Sequence, residues 1–246
     1  MVAVATAAPA FAASPCTTPV PGSMDWNVPR FYRQGQGNKW IDRGYGYSRS
    51  SSSSADYLTQ DPDGTGPQLP LALTISVSYG SNTQAAADQL TVSTTNVGGT
   101  GDVGLTLHQT PRDTALTSSS LTDRNKSIVT FAFGRVVSEL TFTMTDIDSA
   151  SADFRDAVGI AGAVISSSSI ANTSLVQGTG TVTDPFQVRT SNSAVDNEVG
   201  SGGNVTVTLK NFSSFDLHYW NTQAAGSGGD QKVFLTDFEL TYFACD

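Results

Sequence analysis

A chain of 246 residues with 38% hydrophobic content is long enough for a large folded domain and too apolar to be disordered throughout. Its formal net charge is −9, and only 14% of its residues are charged. Because an acidic surface repels the phosphates of nucleic acids and of anionic membranes, we expect neither as a partner. After the first residues, no apolar run is long enough for a membrane-spanning helix, so we expect no membrane insertion.

Residues 1–12 resemble the end of a secretory signal peptide. The triplet Ala10-Phe11-Ala12 fits the small-x-small cleavage pattern, with Ala13 as the mature start. No basic segment precedes the triplet, so we expect the true start codon upstream; a disordered Ala-rich tail is the alternative interpretation. The pattern predicts a secreted or cell-surface protein.

The two cysteines, Cys16 and Cys245, stand near opposite ends of the chain. In an exported protein an even pair is most simply a disulfide, and two free thiols are the alternative. Closing so long a loop would stabilise the fold by up to about 5 kcal/mol if the geometry is unstrained. The bridge requires the first and last strands to lie close together.

Residues 13–70 are predicted to form an irregular N-terminal extension, in which a serine run and a Gly/Pro-rich loop follow an aromatic and basic segment. Exposed aromatic rings are candidates for stacking against sugar rings. The candidates are Trp26, Trp40, Tyr45 and Tyr47, together with the adjacent pair Tyr219 and Trp220. One ring of that pair should face outward if the pair lies on a strand. The alternative is that these rings seal the ends of the fold.

From residue 71 onward, alternating apolar and polar residues dominate the chain. Leu140, Phe142 and Met144 share one face of a predicted strand, while threonines occupy the other face. Glycine-rich turns separate this strand from many others of similar length. The pattern predicts an all-β, antiparallel, jelly-roll-like β-sandwich over residues 71–246, and residues 13–246 are expected to form one folded unit.

The densest group of carboxylates follows the strand that begins at Leu140. It consists of Asp146, Asp148, Asp153 and Asp156. Ca²⁺ takes several oxygen ligands, which closely spaced aspartates in a strand-end loop can supply, so Ca²⁺ is the candidate cofactor. The spacing matches no standard calcium loop. The alternative is that these side chains cap turns or pair with arginines.

Two patterns in the second half of the chain are shared with other proteins. One is the alternating strand that ends in Thr145-Asp-Ile-Asp148, followed by the strand Asp156-Ala-Val158. The other is a late strand, a Gly-rich hairpin and a closing strand, at Phe215–Trp220, Gly226–Gly229 and Val233–Tyr242. In these features residues 127–243 resemble a loosely defined group of secreted bacterial surface proteins. The resemblance implies an extracellular β-sandwich without assigned catalytic residues.

The sequence offers little support for catalysis. His108 and His218 are the only histidines, and their spacing does not suggest a zinc site. A glycan hydrolase would need two carboxylates across a cleft and is the less favoured alternative. We therefore expect a secreted, surface- or matrix-associated module that binds polysaccharide. The alternative is a structural surface protein or an adhesion module that binds a surface protein.

Overall fold

The computed structural model describes residues 19–27, 46–58, 71–112, 120–223, 229 and 231–243. Within these residues it is almost entirely β, with one short 3₁₀ turn at Asp123–Asn125, and it has no helix long and apolar enough to cross a membrane. The strands are β1 (Val20–Met24), β2 (Gly46–Ser51), β3 (Ser54–Leu58), β4 (Ala72–Tyr79), β5 (Thr83–Ala85), β6 (Leu105–Pro111), β7 (Lys126–Thr145), β8 (Ser149–Ala150), β9 (Phe154–Ala161), β10 (Val164–Ile170), β11 (Val176–Gln177), β12 (Phe186–Val188), β13 (Val205–Asn221), β14 (Gln231–Leu235) and β15 (Phe238–Tyr242). The named strands pair only in the antiparallel sense, which confirms the predicted fold class.

Two long strands, β7 and β13, organise the sandwich. They pair with each other along almost their whole length, and the register shifts between Phe212 and Ser214. The buried side chains of β7 change parity along the strand, from Phe131 in its first half to Phe142 in its second. A bulge of this kind bends a strand pair. Each long strand therefore contributes to both layers.

Different strands flank the two halves of this pair. In the first layer, β4, β3 and β2 extend from the first half of β7, while β9, β12 and β11 extend from the second half of β13. In the second layer, β10 lies beside the first half of β13, and β15 and β1 lie beside the second half of β7. At the end of β7, β14 pairs with β6, which in turn pairs with β5.

An aromatic cluster fills the space between the layers. Phe215 of the first layer stacks on Phe142 of the second, with ring centroids 5.9 Å apart, and Phe142 also contacts Phe238 at 5.1 Å. The outward-facing threonines of β7 contact threonines of the neighbouring strand β13. Thr143 Oγ1, for example, lies 2.8 Å from Thr206 Oγ1. The alternation predicted from Leu140 to Thr145 thus gives one apolar face and one hydroxyl face.

The strands nearest the two chain ends are neighbours. β1 pairs with β15 from Val20↔Tyr242 to Met24↔Phe238. The geometric condition for the predicted disulfide is therefore met by the described residues. Cys16 and Cys245 themselves lie outside them, as do residues 1–12.

Parts of the predicted irregular extension are regular strands. β2 and β3 form a hairpin that continues the first layer beyond β4, and Ala55 and Tyr57 of β3 are buried. The serine run forms the hairpin turn, where the Ser53 N–H donates to Ser51 Oγ at 3.2 Å. Two apolar positions are too few to make a recognisable alternation, which explains why the sequence pattern did not predict β3.

Candidate functional site

A cleft of about 260 Å³ opens at the end of the sandwich where β7 stops. Side chains from five separate segments of the chain line it. We call it the acidic cleft, and its lining residues are His108, Asp146, Asp148, Phe154, Asn197 and Lys232. The antiparallel register places the ends of β6, β7, β9 and β14 together here, which is why residues far apart in sequence meet.

Asp146 is the first residue after β7 and forms part of the cleft floor. Its backbone adopts a left-handed conformation, with φ of 68°, which aspartate tolerates better than most residues. The side chain is only 4% exposed, and its Oδ1 atom has no hydrogen-bond partner among the described residues. Buried carboxylate oxygens are normally paired, so this atom requires an explanation.

Asp148 is the second carboxylate of the floor. Its Oδ2 atom accepts a hydrogen bond from the Val195 N–H at 2.6 Å. Its backbone is held on both sides by Asp156, whose N–H donates to the Asp148 carbonyl at 3.0 Å and whose Oδ2 accepts from the Asp148 N–H at 3.2 Å. The position of Asp148 in the cleft is therefore determined by its neighbours.

Asp156 is fully buried beneath this floor and does not line the cleft. Its Oδ1 atom accepts hydrogen bonds from the Tyr219 hydroxyl at 3.0 Å and from Gln231 Nε2 at 2.7 Å. Gln109 Nε2 in turn donates to Gln231 Oε1 at 2.7 Å. Both oxygens of Asp156 are thus occupied, and the network fastens β9, β13, β14 and β6 to one another.

Burial raises the pKa values of all three carboxyl groups. The pKa of Asp146 rises to about 8, because burial is reinforced by the neighbouring charge of Asp148. Burial raises the pKa of Asp148 to about 6, against the opposing effect of the Val195 N–H. Burial and the charge of Asp148 also raise the pKa of Asp156 well above its usual range. The surroundings therefore disfavour the anionic form of all three carboxyl groups relative to the same groups in water.

Two basic side chains that line the cleft, Lys232 and His108, are bound to another carboxylate. Asp88 Oδ2 accepts from Lys232 Nζ at 2.8 Å, and Asp88 Oδ1 contacts His108 Nδ1. Burial alone would raise the pKa of Asp88, but the hydrogen bonds from Lys232 and His108 outweigh it and hold that pKa below its usual range. Lys232 also lowers the pKa of Asp146 through its charge, yet its ammonium group is hydrogen-bonded to Asp88.

The structure brings together three of the four aspartates predicted as metal ligands. Asp146 and Asp148 reach the cleft, and Asp156 lies beneath them. Asp153 does not line the cleft, and its carboxylate lies against the backbone of Gly229. Among the described residues, no group of three or more His, Cys, Asp or Glu side chains is arranged to hold a metal ion.

Four residues of this region were not identified from the sequence as site residues. They are Asp88, Phe154, Asn197 and Lys232. Each comes from a different segment, and none lies in a local pattern that suggests binding. His108 was considered only as one of two histidines. Its contact with Asp88 depends on pairing between distant segments, for which the sequence gives no signal.

Trp26 does not offer a stacking surface, which corrects the prediction made for it. It is 2% exposed, and its Nε1–H donates to the Thr236 carbonyl at 2.9 Å. Its ring packs edge-on against Tyr57 and Phe238, at centroid distances of 5.3 and 5.2 Å. Trp26 therefore seals the end of the sandwich, which was the alternative interpretation.

Tyr219 and Trp220 are both buried, so the expectation that one ring would face outward is wrong. Tyr219 faces the core and donates to Asp156. Trp220 lies on the opposite face of β13, and its ring stacks on His218 with ring centroids 5.4 Å apart. Beside it, the backbone at Thr181 packs against Gly159 of β9, which has no side chain. Both faces of β13 are covered here, because a loop closes over the outer one.

The remaining aromatic candidates cannot be assigned to a surface. Trp40 and Tyr45 lie outside the described residues, and for Tyr47 only the backbone is described, paired with Tyr57 in the β2–β3 hairpin. The aromatic residue that does line the acidic cleft is Phe154, which is half-buried.

A second groove, of about 420 Å³, lies beside β10. Its base is apolar, with Ile160 and Ile165, and its sides carry hydroxyl groups such as those of Ser167, Thr179 and Thr181. Among the described strands β10 pairs only with β13, so its other edge is open. Val164, at the start of this edge, is 66% exposed.

Comparison with known proteins adds no further constraint. No family model, no curated protein and no solved structure matches the chain.

Proposed function

We propose that this chain is a secreted, surface- or matrix-associated binding module and that the acidic cleft binds a saccharide. The observation that carries the proposal is the composition of the cleft. It sets the half-buried ring of Phe154 beside polar groups that can hydrogen-bond hydroxyls, among them Asp148 and Asn197. Sugar rings have an apolar face and a rim of hydroxyl groups, so this combination suits them.

Export is part of the proposal and is supported by the leader-like residues 1–12, by the low charged content and by the resemblance to secreted bacterial surface proteins. A disulfide between Cys16 and Cys245 belongs to it as well. Its support is the antiparallel pairing of Val20 with Tyr242, because in the sequence Cys16 precedes Val20 by four residues and Cys245 follows Tyr242 by three. An oxidising compartment would allow the bridge to form.

The test is a glycan-array screen of the chain from residue 13 onward, followed by calorimetric titration with the best oligosaccharide. Asn197→Ala changes an exposed side chain of the cleft and should weaken binding about tenfold, since it removes hydrogen bonds to a sugar hydroxyl. Phe154→Ala should weaken binding at least as much. Lys210→Ala, in the surface pair with Glu139, is the matched control and should bind normally.

Three outcomes are informative. Silence across the array, or full affinity in both cleft variants, would contradict the proposal. Recovery of the oligosaccharide intact after incubation would separate binding from hydrolysis, whereas cleavage that depends on Asp146 and Asp148 would make the cleft a hydrolase site.

A second candidate function, protein–protein adhesion, is favoured by the open edge of β10. An uncharged edge strand, beside a groove lined by isoleucine and hydroxyl side chains, can accept a further strand. Self-association is the simplest form of such adhesion. Sedimentation measurements would then show a concentration-dependent oligomer that Val164→Lys abolishes, because a charge at this edge blocks strand addition. A protein that stays monomeric at high concentration would contradict this alternative.

A further inference from the structure

The floor of the acidic cleft has an imbalance of charge. Asp146 and Asp148 are both 4% exposed, and the one lysine that lines the cleft is hydrogen-bonded to Asp88 instead. Two adjacent carboxylates in a region of low dielectric are unstable as anions without a positive partner. Either protons or a cation must therefore compensate them.

A second observation, beyond the number of carboxylates, points to a cation. Asp146 lines the cleft, and its Oδ1 atom is buried with no hydrogen-bond partner among the described residues. The next residue is hydrogen-bonded to a neighbouring loop, with the Ile147 N–H donating to the Gly203 carbonyl at 3.3 Å. A buried carboxylate oxygen without a partner is an atom to which a bound cation would supply the missing interaction.

We propose that the acidic cleft binds one Ca²⁺ ion, with Asp146 and Asp148 as its carboxylate ligands and the side-chain oxygen of Asn197 as a further donor. All three side chains line the cleft. Water completes the shell, because Ca²⁺ takes six to eight oxygen ligands. An all-oxygen donor set favours Ca²⁺ over transition metals, and His108 is engaged by Asp88 through Nδ1.

The other two predicted ligands take different roles. Asp156 holds the backbone of Asp148 through two hydrogen bonds. Its Oδ1 atom accepts hydrogen bonds from Tyr219 and Gln231. It is a positioning residue for the site. Asp153 lies against Gly229 and takes no part.

The small number of protein ligands predicts a weak site. With two carboxylates and no third acidic or histidine ligand among the described residues, the dissociation constant should lie at about 10⁻⁴ to 10⁻³ M, as in extracellular calcium modules. Such a site would be filled outside the cell and empty inside it. The ion uses the same cleft as the proposed function but requires no saccharide.

The experiment titrates CaCl₂ into the chelator-treated chain, without any sugar, and follows heat and the thermal unfolding midpoint. Saturating Ca²⁺ should raise the midpoint of the wild type by about 4 °C. Asp146→Asn and Asp148→Asn should each lose most of this rise. Glu139→Gln, which makes the same charge change in an exposed surface pair, should keep it.

The two cleft variants are expected to fold. Asn can still accept the hydrogen bond from Val195 at position 148, and Asn at position 146 removes a carboxyl that burial disfavours. In the absence of Ca²⁺ they should therefore be as stable as the wild type or more so. Loss of the calcium response without loss of stability is a result that a purely structural role would not produce.

Either of two results would overturn the inference. One is the absence of heat and of any midpoint shift up to about 10 mM Ca²⁺, well above the expected range. The other is a calcium response in Asp146→Asn and Asp148→Asn equal to that of the wild type. If no glycan on the array binds but the calcium titration gives the expected response, the saccharide proposal is wrong and the calcium proposal stands.

Discussion

Two regions of the molecule each contain residues that the sequence marks as candidates for binding, Trp26 in one and the pair Asp146 and Asp148 in the other. The regions differ in how their polar groups are satisfied. We call the first the Trp26 corner, formed by Asp25, Trp26, Tyr57, Thr236 and Asp237. There the Trp26 N–H donates to Asp237 at 2.9 Å, its Nε1–H donates to Thr236 at 2.9 Å, and the Tyr57 hydroxyl donates to the Asp25 carbonyl at 2.9 Å. The corner is closed.

In the acidic cleft the corresponding groups are not all satisfied. Asp146 follows a strand, as Asp25 does, yet its buried Oδ1 atom has no partner among the described residues. The contrast suggests that exposure of aromatic residues is a poor guide to function in this fold. A buried acceptor without a partner, on a residue that lines a cleft, is an atom that a ligand could engage, whereas the groups of the Trp26 corner named above are already hydrogen-bonded.

The largest expected effect tests whether the chain ends hold the Trp26 corner closed. If Cys16 and Cys245 are bridged, Cys16→Ser in the oxidised protein should lower the free energy of unfolding by up to about 5 kcal/mol. Urea unfolding with and without reductant measures this, and reductant should leave the variant unchanged. Intact-mass analysis showing two free thiols in the wild type would contradict the bridge.

Trp26→Ala should lower the free energy of unfolding by about 3–5 kcal/mol, because it leaves a cavity between Tyr57 and Phe238. Trp26→Phe keeps most of the ring and loses only the hydrogen bond to Thr236, so its cost should be about 1–2 kcal/mol. Urea unfolding measures both. If Trp26 belongs to the core alone, calcium and saccharide titrations of Trp26→Phe will match the wild type, and weakened binding would mean that the two regions are coupled.

Asp156→Ala should lower the free energy of unfolding by less than Trp26→Ala does, but it should also weaken calcium binding in the acidic cleft. It leaves the Tyr219 hydroxyl and Gln231 Nε2 without their shared acceptor, at a cost of about 2–3 kcal/mol in the free energy of unfolding. It also removes the side-chain acceptor of the Asp148 N–H, one of the two hydrogen bonds that hold the Asp148 backbone, so calcium affinity should fall. Tyr219→Phe removes one donor and leaves Asp148 held, so it should cost only about 1 kcal/mol and keep the calcium affinity. Equal loss of affinity in both variants would contradict a positioning role for Asp156.

The comparison also shows which features can be read from the sequence. The faces of β7 were predictable, because the alternation of Leu140, Phe142 and Met144 is local and one face is buried along its length. The aspartate pair that follows β7, Asp146 and Asp148, could likewise be identified from the sequence. Its surroundings were not, since Asn197 and Lys232 reach the cleft through the pairing of strands that are distant in sequence.

The burial of Trp26 could not be predicted for the same reason. Its partner Thr236 lies 210 residues further along the chain, and only the pairing of β1 with β15 brings the two together. Local patterns therefore predict which face of a strand is apolar. They do not predict whether an aromatic residue outside the alternation is covered by another part of the chain.

The smallest expected effect concerns pH and again contrasts the two regions. Burial raises the pKa of Asp237 to about 6, against the opposing hydrogen bond from the Trp26 N–H. Because the folded state binds this proton more tightly than the unfolded state does, the contribution of Asp237 to stability is greatest below about pH 4. It declines as the pH rises to about 6 and is level above that.

Asp237→Asn should remove this decline while keeping an acceptor for Trp26. A shift of about two pKa units corresponds to roughly 3 kcal/mol, but Asp237 is only half-buried, so solvent screening should reduce the gain at pH 7 to about 1 kcal/mol. The measurement is the difference in unfolding free energy between variant and wild type at pH 4 and at pH 7.5. Because the cleft carboxyls are the same in both proteins, their titration cancels in this difference. A difference that does not grow with pH would show that the corner is not titrating.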